Sequence, residues 1–193
     1  EREEMAEIAS RLEQAGFDTF LPQRDGLELT KCLDSLVTTG LAASQASEFV
    51  SRAIFALDVY QVLEACHATL VNLNGRVPDE GAIAEAAMAW SAGKTVVGYK
   101  ADSRSVFGGA DNPLVAGLFG FELTRSIPEA VAEVRKAADE GRIGPGQEFS
   151  RKEELRGYLR AGREIYAALE RSRDPNILAE VLMQEFSRVR ASL

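Results

Sequence analysis

The sequence predicts an α/β domain, an open parallel sheet with helices on both faces, followed by a helical extension. Two compact and largely apolar runs, Ala68 to Leu73 and Lys94 to Tyr99, have the length of strands and the composition of strands buried on both faces. Longer segments with apolar residues at helical spacing lie before, between and after them. Strand–helix alternation of this kind favours parallel strands joined by helical crossovers.

Taken in order, the chain opens in a helix, with Met5, Ile8, Ala9 and Leu12 on one face and Gly16 as a stop. A strand should feed such a helix, so an N-terminal strand, with any site residues on it, is expected to lie outside the chain as read. Phe17 to Leu21 predicts a short strand ended by Pro22, and Gln23 to Gly26 a polar loop. Thr30 to Thr39 predicts a helix on weak periodicity. Ser47 to Ala65 predicts a longer one through Phe49, Val50, Ala53, Ile54, Leu57, Tyr60 and Val62. After the Ala68 strand, Gly75 to Gly81 is turn-rich, and Ala82 to Ala92 is a helix of small apolar residues stopped by Gly93. Beyond the Lys94 strand come a glycine-containing loop to Pro113, a short helix from Leu114 to Phe119 and a short strand from Phe121 to Thr124. Ser126 caps a helix that starts near Pro128 and runs to about Glu140, with Glu129 three residues after the cap. A sheet of about four or five strands is expected. Gly141 to Gly146 breaks the pattern and separates a domain, 1–146, from a C-terminal helical extension, 147–193. There Lys152 to Arg171 and Asn176 to Arg190 predict amphipathic helices, either simple packing helices or a dimerisation arm.

Of 193 residues, 46% are hydrophobic and 27% charged, the usage of an ordinary globular protein. The net charge of −8 sets the surface against a phosphate backbone, so no nucleic-acid polymer is expected as partner, while a small neutral ligand stays open. Cys32, Cys66 and the single histidine, His67, do not make up a zinc site, and neither metal nor cofactor is expected. No apolar run approaches the roughly 20 residues that cross a bilayer, and no signal-peptide pattern opens the chain as read. A cytoplasmic location with reduced thiols is the expectation.

The chemistry centres on Glu85. Its same-face neighbours on the helix, Gly81, Ala82, Met88 and Ala89, include no cation and no polar partner. Either it lies on a solvated edge of the helix, or it is a carboxylate held in a pocket for chemistry. Asp79 stands at the start of the same helix, where it caps free N–H groups or points into the cleft beyond the strand ends. Two carboxylates in one cleft are the usual machinery of glycosidic chemistry. Asp58, set in an apolar pattern, is either on an exposed stripe or a third acid. His67 reads as an edge residue and Trp90 as packing. Arg104, beside Asp102 and Ser103, either holds an anion or pairs with an acid.

The stretch Leu73-Asn74-Gly75-Arg76-Val77-Pro78-Asp79-Glu80-Gly81-Ala82-Ile83-Ala84-Glu85 resembles the signature of the nucleoside 2-deoxyribosyltransferases, roughly L-D-G-x-x-x-D-x-G-T-x-x-E. In that family the signature leads into a small-residue helix, G-K and a strand, and Gly93-Lys94 with the strand to Tyr99 fits this order. Asp102-Ser103-Arg104, Asp111-Asn112-Pro113 and Leu21-Pro22-Gln23-Arg24-Asp25 are similar to three further blocks, so the resemblance spans about residues 5 to 135. It implies a flavodoxin-like (Rossmann-like) sheet and a ping-pong exchange of nucleobases on 2′-deoxynucleosides. Glu85 would match the nucleophile, forming a covalent 2-deoxyribosyl-enzyme that a second free nucleobase attacks. Asp79 and Asp58 would match acids that contact the base and assist its protonation. Gly81, Gln23 and Asp25 fall in blocks that bind substrate. Asn112 would match a residue that reaches the sugar 5′-hydroxyl in a neighbouring subunit, which implies a homo-oligomer. Asn74 stands where the family usually has aspartate, and Ala82 where it often has threonine.

Two other functions compete. One is an N-glycosidase acting on nucleosides or their 5′-monophosphates, with water in place of the acceptor base. The other is a non-catalytic nucleotide-sensing module, against which an acid at position 85 argues. Products formed with and without an acceptor base discriminate them.

Overall fold

The computed structural model describes residues 2–26, 29–38, 42–104, 111–146 and 171. In chain order, α1 (Arg2–Gln14), α2 (Pro22–Asp25), α3 (Leu29–Thr38) and α4 (Ala43–Tyr60) come first. Helix α4 runs on into a π-helical turn, Gln61–Ala65. After it come β1 (Ala68–Asn72), α5 (Glu80–Ser91), β2 (Thr95–Tyr99), α6 (Pro113–Leu118) and α7 (Ile127–Asp139). Contacts divide the chain into two compact units, Glu1–Gly146 and Gln147–Leu193. The helices expected beyond residue 147 lie outside the described residues, apart from helical Arg171.

Strands β1 and β2 pair in parallel, with Ala68 opposite Thr95 and Asn72 opposite Tyr99, and α5 is the crossover between them. Side-chain alternation along the strands feeds two cores. On one face Val97 and Tyr99 pack with Ile8 and Leu12 of α1 and Ala130 and Val134 of α7. On the other, Val71 and Leu73 pack with Ala86 of α5 and with Phe119. This is the expected α/β architecture of a parallel sheet between helical layers.

The sheet is narrower than expected among the described residues. Phe17 to Leu21 forms no strand, because its polar groups are engaged elsewhere: Phe17 N donates to Leu12 O (3.1 Å), Leu21 N to Asp25 Oδ2 (2.7 Å), and Thr19 O accepts from Arg24 Nη2 (3.1 Å). The Gln23 segment, expected as a loop, is the one-turn helix α2 with Pro22 at its start. Phe121 to Thr124 reaches the sheet only at Thr124, which bridges Tyr99 in parallel. Its first residues are spent on a turn, with Phe121 at φ +64° and Glu122 N bonded to Phe119 O (3.1 Å).

Caps fix the helix starts. Asp79 Oδ1 accepts from Ala82 N (2.8 Å) and Asn112 Oδ1 from Leu114 N (2.9 Å). Ser126 Oγ accepts from Glu129 N (3.3 Å), while Glu129 Oε2 reaches back to Arg125 N (2.7 Å).

Gly98 lets one turn of chain lie directly on β2. A Cβ there would strike Leu123 Cδ2 and come within 2.8–2.9 Å of Phe119 ring carbons. Gly98→Val is therefore expected to lower stability by about 1–3 kcal/mol through overpacking, read as a lower midpoint in urea or thermal unfolding.

Candidate active site

The site lies where the carboxyl end of β1 runs into α5. A cavity of 410 Å³ opens there, bounded by Asp58 and Gln61 from the end of α4, Asp79, Gly81 and Glu85 from the start of α5, and Gln23 from α2. Its size falls within the range of small-molecule pockets. Parallel sheets commonly bind ligands beyond the carboxyl ends of their strands.

Glu85 reaches this cavity because α5 lies with its small residues on the sheet. Ala86 and Ala89 are fully buried, and Glu85, one position to the side, is half-buried at the helix edge. Burial pushes its carboxyl above the ordinary range, and the negative charges of Asp58 and Asp79 push it the same way. The lone-edge and pocket readings of Glu85 thus converge on a partly desolvated carboxylate lining a cavity. Asp58 is also half-buried, and burial raises its carboxyl too. Asp79 takes both roles open to it, capping α5 through Oδ1 while lining the cavity.

The remaining residues divide. Gly81 and Gln23 line the cavity with the three acids. Asp25 does not; it caps Leu21 N and pairs with Arg24, whose guanidinium holds its carboxyl below the usual range. Asn112 lies outside the cavity lining, where it caps α6. Arg104 is paired with Asp102 at 2.5–3.0 Å and holds that carboxyl well below its usual range. His67 stands ahead of β1, also outside this cavity's lining. No group of three or more possible metal ligands occurs among the described residues. No helix among them is long and apolar enough to cross a membrane.

Sequence reasoning passed over Gln61 and the polar cluster beneath the cavity. Gln61 stands three residues after Asp58, so the two share a helix face, and that spacing was the available signal. In the cluster, Glu4 accepts from Asn72 Nδ2 (3.2 Å) and Asn74 Nδ2 (3.0 Å), and Tyr99 Oη donates to it at 3.4 Å. Asn74 Oδ1 accepts from Ala101 N (2.8 Å) and Asp102 N (2.9 Å), tying the end of β1 to the end of β2. Aspartate at position 74 would keep these two bonds, but only an amide also donates to Glu4.

Ionised Glu85 costs the fold free energy. Its folded pKa lies above the unfolded one, so stability falls as pH rises from the unfolded pKa through the folded pKa, and the cost is complete above both. Glu85→Gln removes that charge and should raise the thermal midpoint at neutral pH. The gain should shrink toward zero below about pH 4, where glutamate is protonated in either state. Melting curves at both pH values check this; a midpoint lowered at neutral pH contradicts it.

A search among curated proteins finds no match to the chain. The family model described as nucleoside 2-deoxyribosyltransferase matches residues 1–148, the whole of the α/β unit that carries the cavity. The chain belongs to the nucleoside 2-deoxyribosyltransferase family.

Proposed function

We propose that the protein exchanges the nucleobase of 2′-deoxynucleosides through a covalent glycosyl intermediate on Glu85. The observation that carries this reading is a half-buried carboxylate sharing one cavity with two further acids, in a chain of this family. In the first half-reaction a Glu85 carboxylate oxygen attacks C1′, the C1′–N bond breaks with its electron pair going to the base, and a proton reaches the departing nitrogen. Asp58, whose carboxyl burial pushes up, is suited to donate that proton. The Asp79 cap engages Oδ1 and leaves its second oxygen to orient the base. In the second half-reaction a ring nitrogen of a different base attacks C1′, the ester to Glu85 breaks with its electron pair restoring the carboxylate, and the proton lost from the incoming nitrogen returns to Asp58. Gln23 and Gly81 border the same space as substrate contacts.

The pairing of Arg104 with Asp102 favours nucleosides over 5′-monophosphates as substrates, since this guanidinium is already engaged. Asn112 is part of the proposal as a residue that completes a neighbour's site in a homo-oligomer. The exposure of Leu114 two residues on, at 81%, supports such a contact. Nucleotide salvage in the cytoplasm is the setting this reading implies.

The first test is the mass of the protein after brief exposure to a deoxynucleoside without acceptor. A deoxyribosyl adduct is expected on the wild type and absent from Glu85→Ala. With an acceptor base present, Glu85→Ala and Glu85→Gln should lower exchange by a factor on the order of 10³ or more. Asp58→Asn should lower it by about 10² or more, most for bases that leave poorly without protonation. Exchange by Glu85→Ala at near wild-type rate would sink the mechanism, and free deoxyribose as the main product with acceptor present would identify a hydrolase instead.

Asn112→Ala gives an independent check on assembly. It should lower exchange about tenfold or more, well beyond the effect of losing the α6 cap, which should lower the melting midpoint only by the equivalent of about 1 kcal/mol, and mixing it with Glu85→Ala protein should restore part of the activity. An active monomer in sizing or sedimentation would contradict the shared site.

A further inference from the structure

Lys94 is buried to 4% exposure, yet it lies outside the cavity lining. Its ammonium donates to Val62 O at 2.8 Å and to Cys66 O at 2.5 Å. Both carbonyls belong to the wide turn that ends α4, in which Cys66 N bonds back five residues to Gln61 O (2.8 Å). Helix C-terminal carbonyls lack intrahelical donors and carry partial negative charge, so a cation there satisfies both needs. The backbone of Lys94 is fixed at the other end. Its N–H donates to Ala89 O (3.0 Å) in the last turns of α5, and Gly93, at φ +74°, turns the chain out of that helix. Gly146 packs against the lysine stem, since a Cβ there would come within 2.9 Å of Lys94 Cε.

One residue thus joins the end of α5, which carries Glu85, to the end of α4, which carries Asp58. Asp58 stands four residues before Val62, about 6 Å along the helix axis. A shift of the α4 end along its axis would therefore move Asp58 relative to Glu85. We propose that Lys94 is a positioning residue for the reaction, setting the separation of the Asp58 and Glu85 carboxylates by bracing the π-helical end of α4 against α5. The inference rests on the base-exchange reading above. The brace depends on a charged ammonium, which burial disfavours and which Cys66 and Glu64, the titratable groups around it, favour. Its worth lies in two hydrogen bonds that nothing smaller or neutral can make together.

The test is a double-mutant cycle on the full chain, with a 2′-deoxynucleoside and a different free base as substrates. Lys94→Met keeps the aliphatic stem and removes the donor. It should lower kcat by about tenfold or more with little change in KM, since small displacements of a catalytic group are felt mainly in the rate. It should also shift the alkaline limb of the kcat profile, which an Asp58 proton donor sets. In the Asp58→Asn background, Lys94→Met should cost less than about twofold further, because the residue acts through Asp58. Lys94→Arg, which keeps a cation, should recover part of the loss. If Lys94→Met does not fold, Lys94→Gln read in the same cycle decides. An unchanged kcat and pH profile, or a full independent loss on top of Asp58→Asn, overturns the inference while leaving base exchange standing. Wild-type exchange rates in both Asp58→Asn and Glu85→Gln would overturn the carboxylate mechanism on which the inference rests, and no exchange by the wild type would overturn the exchange reading itself.

Discussion

The close approach of α5 to the sheet is the constraint on which the site depends. Ala86 and Ala89 are fully buried between helix and strands, and only side chains of this size let the axis come so near. A helix pressed flat on its small residues has its next positions turned to the two sides. Glu85 takes one of them, facing the end of α4 rather than solvent alone. The same closeness recurs on β2, where Gly98 admits Phe119 and Leu123 against the strand. A larger residue at either place would lift a helix or a turn, and the cavity wall would move with it.

Polar groups at the strand ends do the complementary work. Apolar packing fixes distances between layers but leaves loops beyond the strands underdetermined. Here Asn72 Oδ1 accepts from Asn74 N (2.8 Å), and Asn74 then accepts from two successive amides after β2. The loop that leads into α5 is thereby tied to the adjoining strand before it reaches Asp79. Asp79 next anchors the first turn of α5 through its cap. The bonds to Asn74 N and Asp102 N are part-buried and satisfy backbone groups that would otherwise cost free energy. Asp102 adds a contact of its own, accepting from Gly75 N (3.2 Å) while it holds Arg104.

The legible part of this structure was what periodicity and caps encode. The runs at 68–73 and 94–99, the small-residue helix at 82–92, and the Ser126 cap all appear in the fold within a residue or two. So does the gathering of Asp58, Asp79 and Glu85 at one cavity, which the motif and the ligand zone of parallel sheets both indicated. What escaped depended on competition for hydrogen bonds. Phe17 to Leu21 has strand composition, but Asp25 and Arg24 claim its backbone from four or five residues away, and no local pattern announces that. The π-helical end of α4 is equally silent in sequence, because its stabilising partner, Lys94, lies 28 to 32 residues on. Asp25 reads differently in sequence and in structure. A charged residue in a family-like block reads as a ligand contact, although in the structure its partners are Leu21 N and Arg24.

The three carboxylates also explain why stability and chemistry pull apart in this site. Like charges in a partly desolvated cavity raise one another's proton affinity, so the fold is less stable when all are ionised than when one is neutral. Glu85 is pushed up by burial and by both neighbours. Asp79 offsets part of this as the cap of α5, but Glu85 and Asp58 do little to hold helices together, since a neutral residue at either place would relieve the cost of burying a charge. In the proposed exchange the same features would help, because a desolvated, poorly stabilised carboxylate is a stronger nucleophile and a raised carboxyl is a better-matched acid. The framework must then supply the stability that the acids withdraw. It does so at a distance, through the packing of Ala86 and Ala89, the Asn74 ties between the strand ends and the buried ammonium between α4 and α5, none of which lines the cavity.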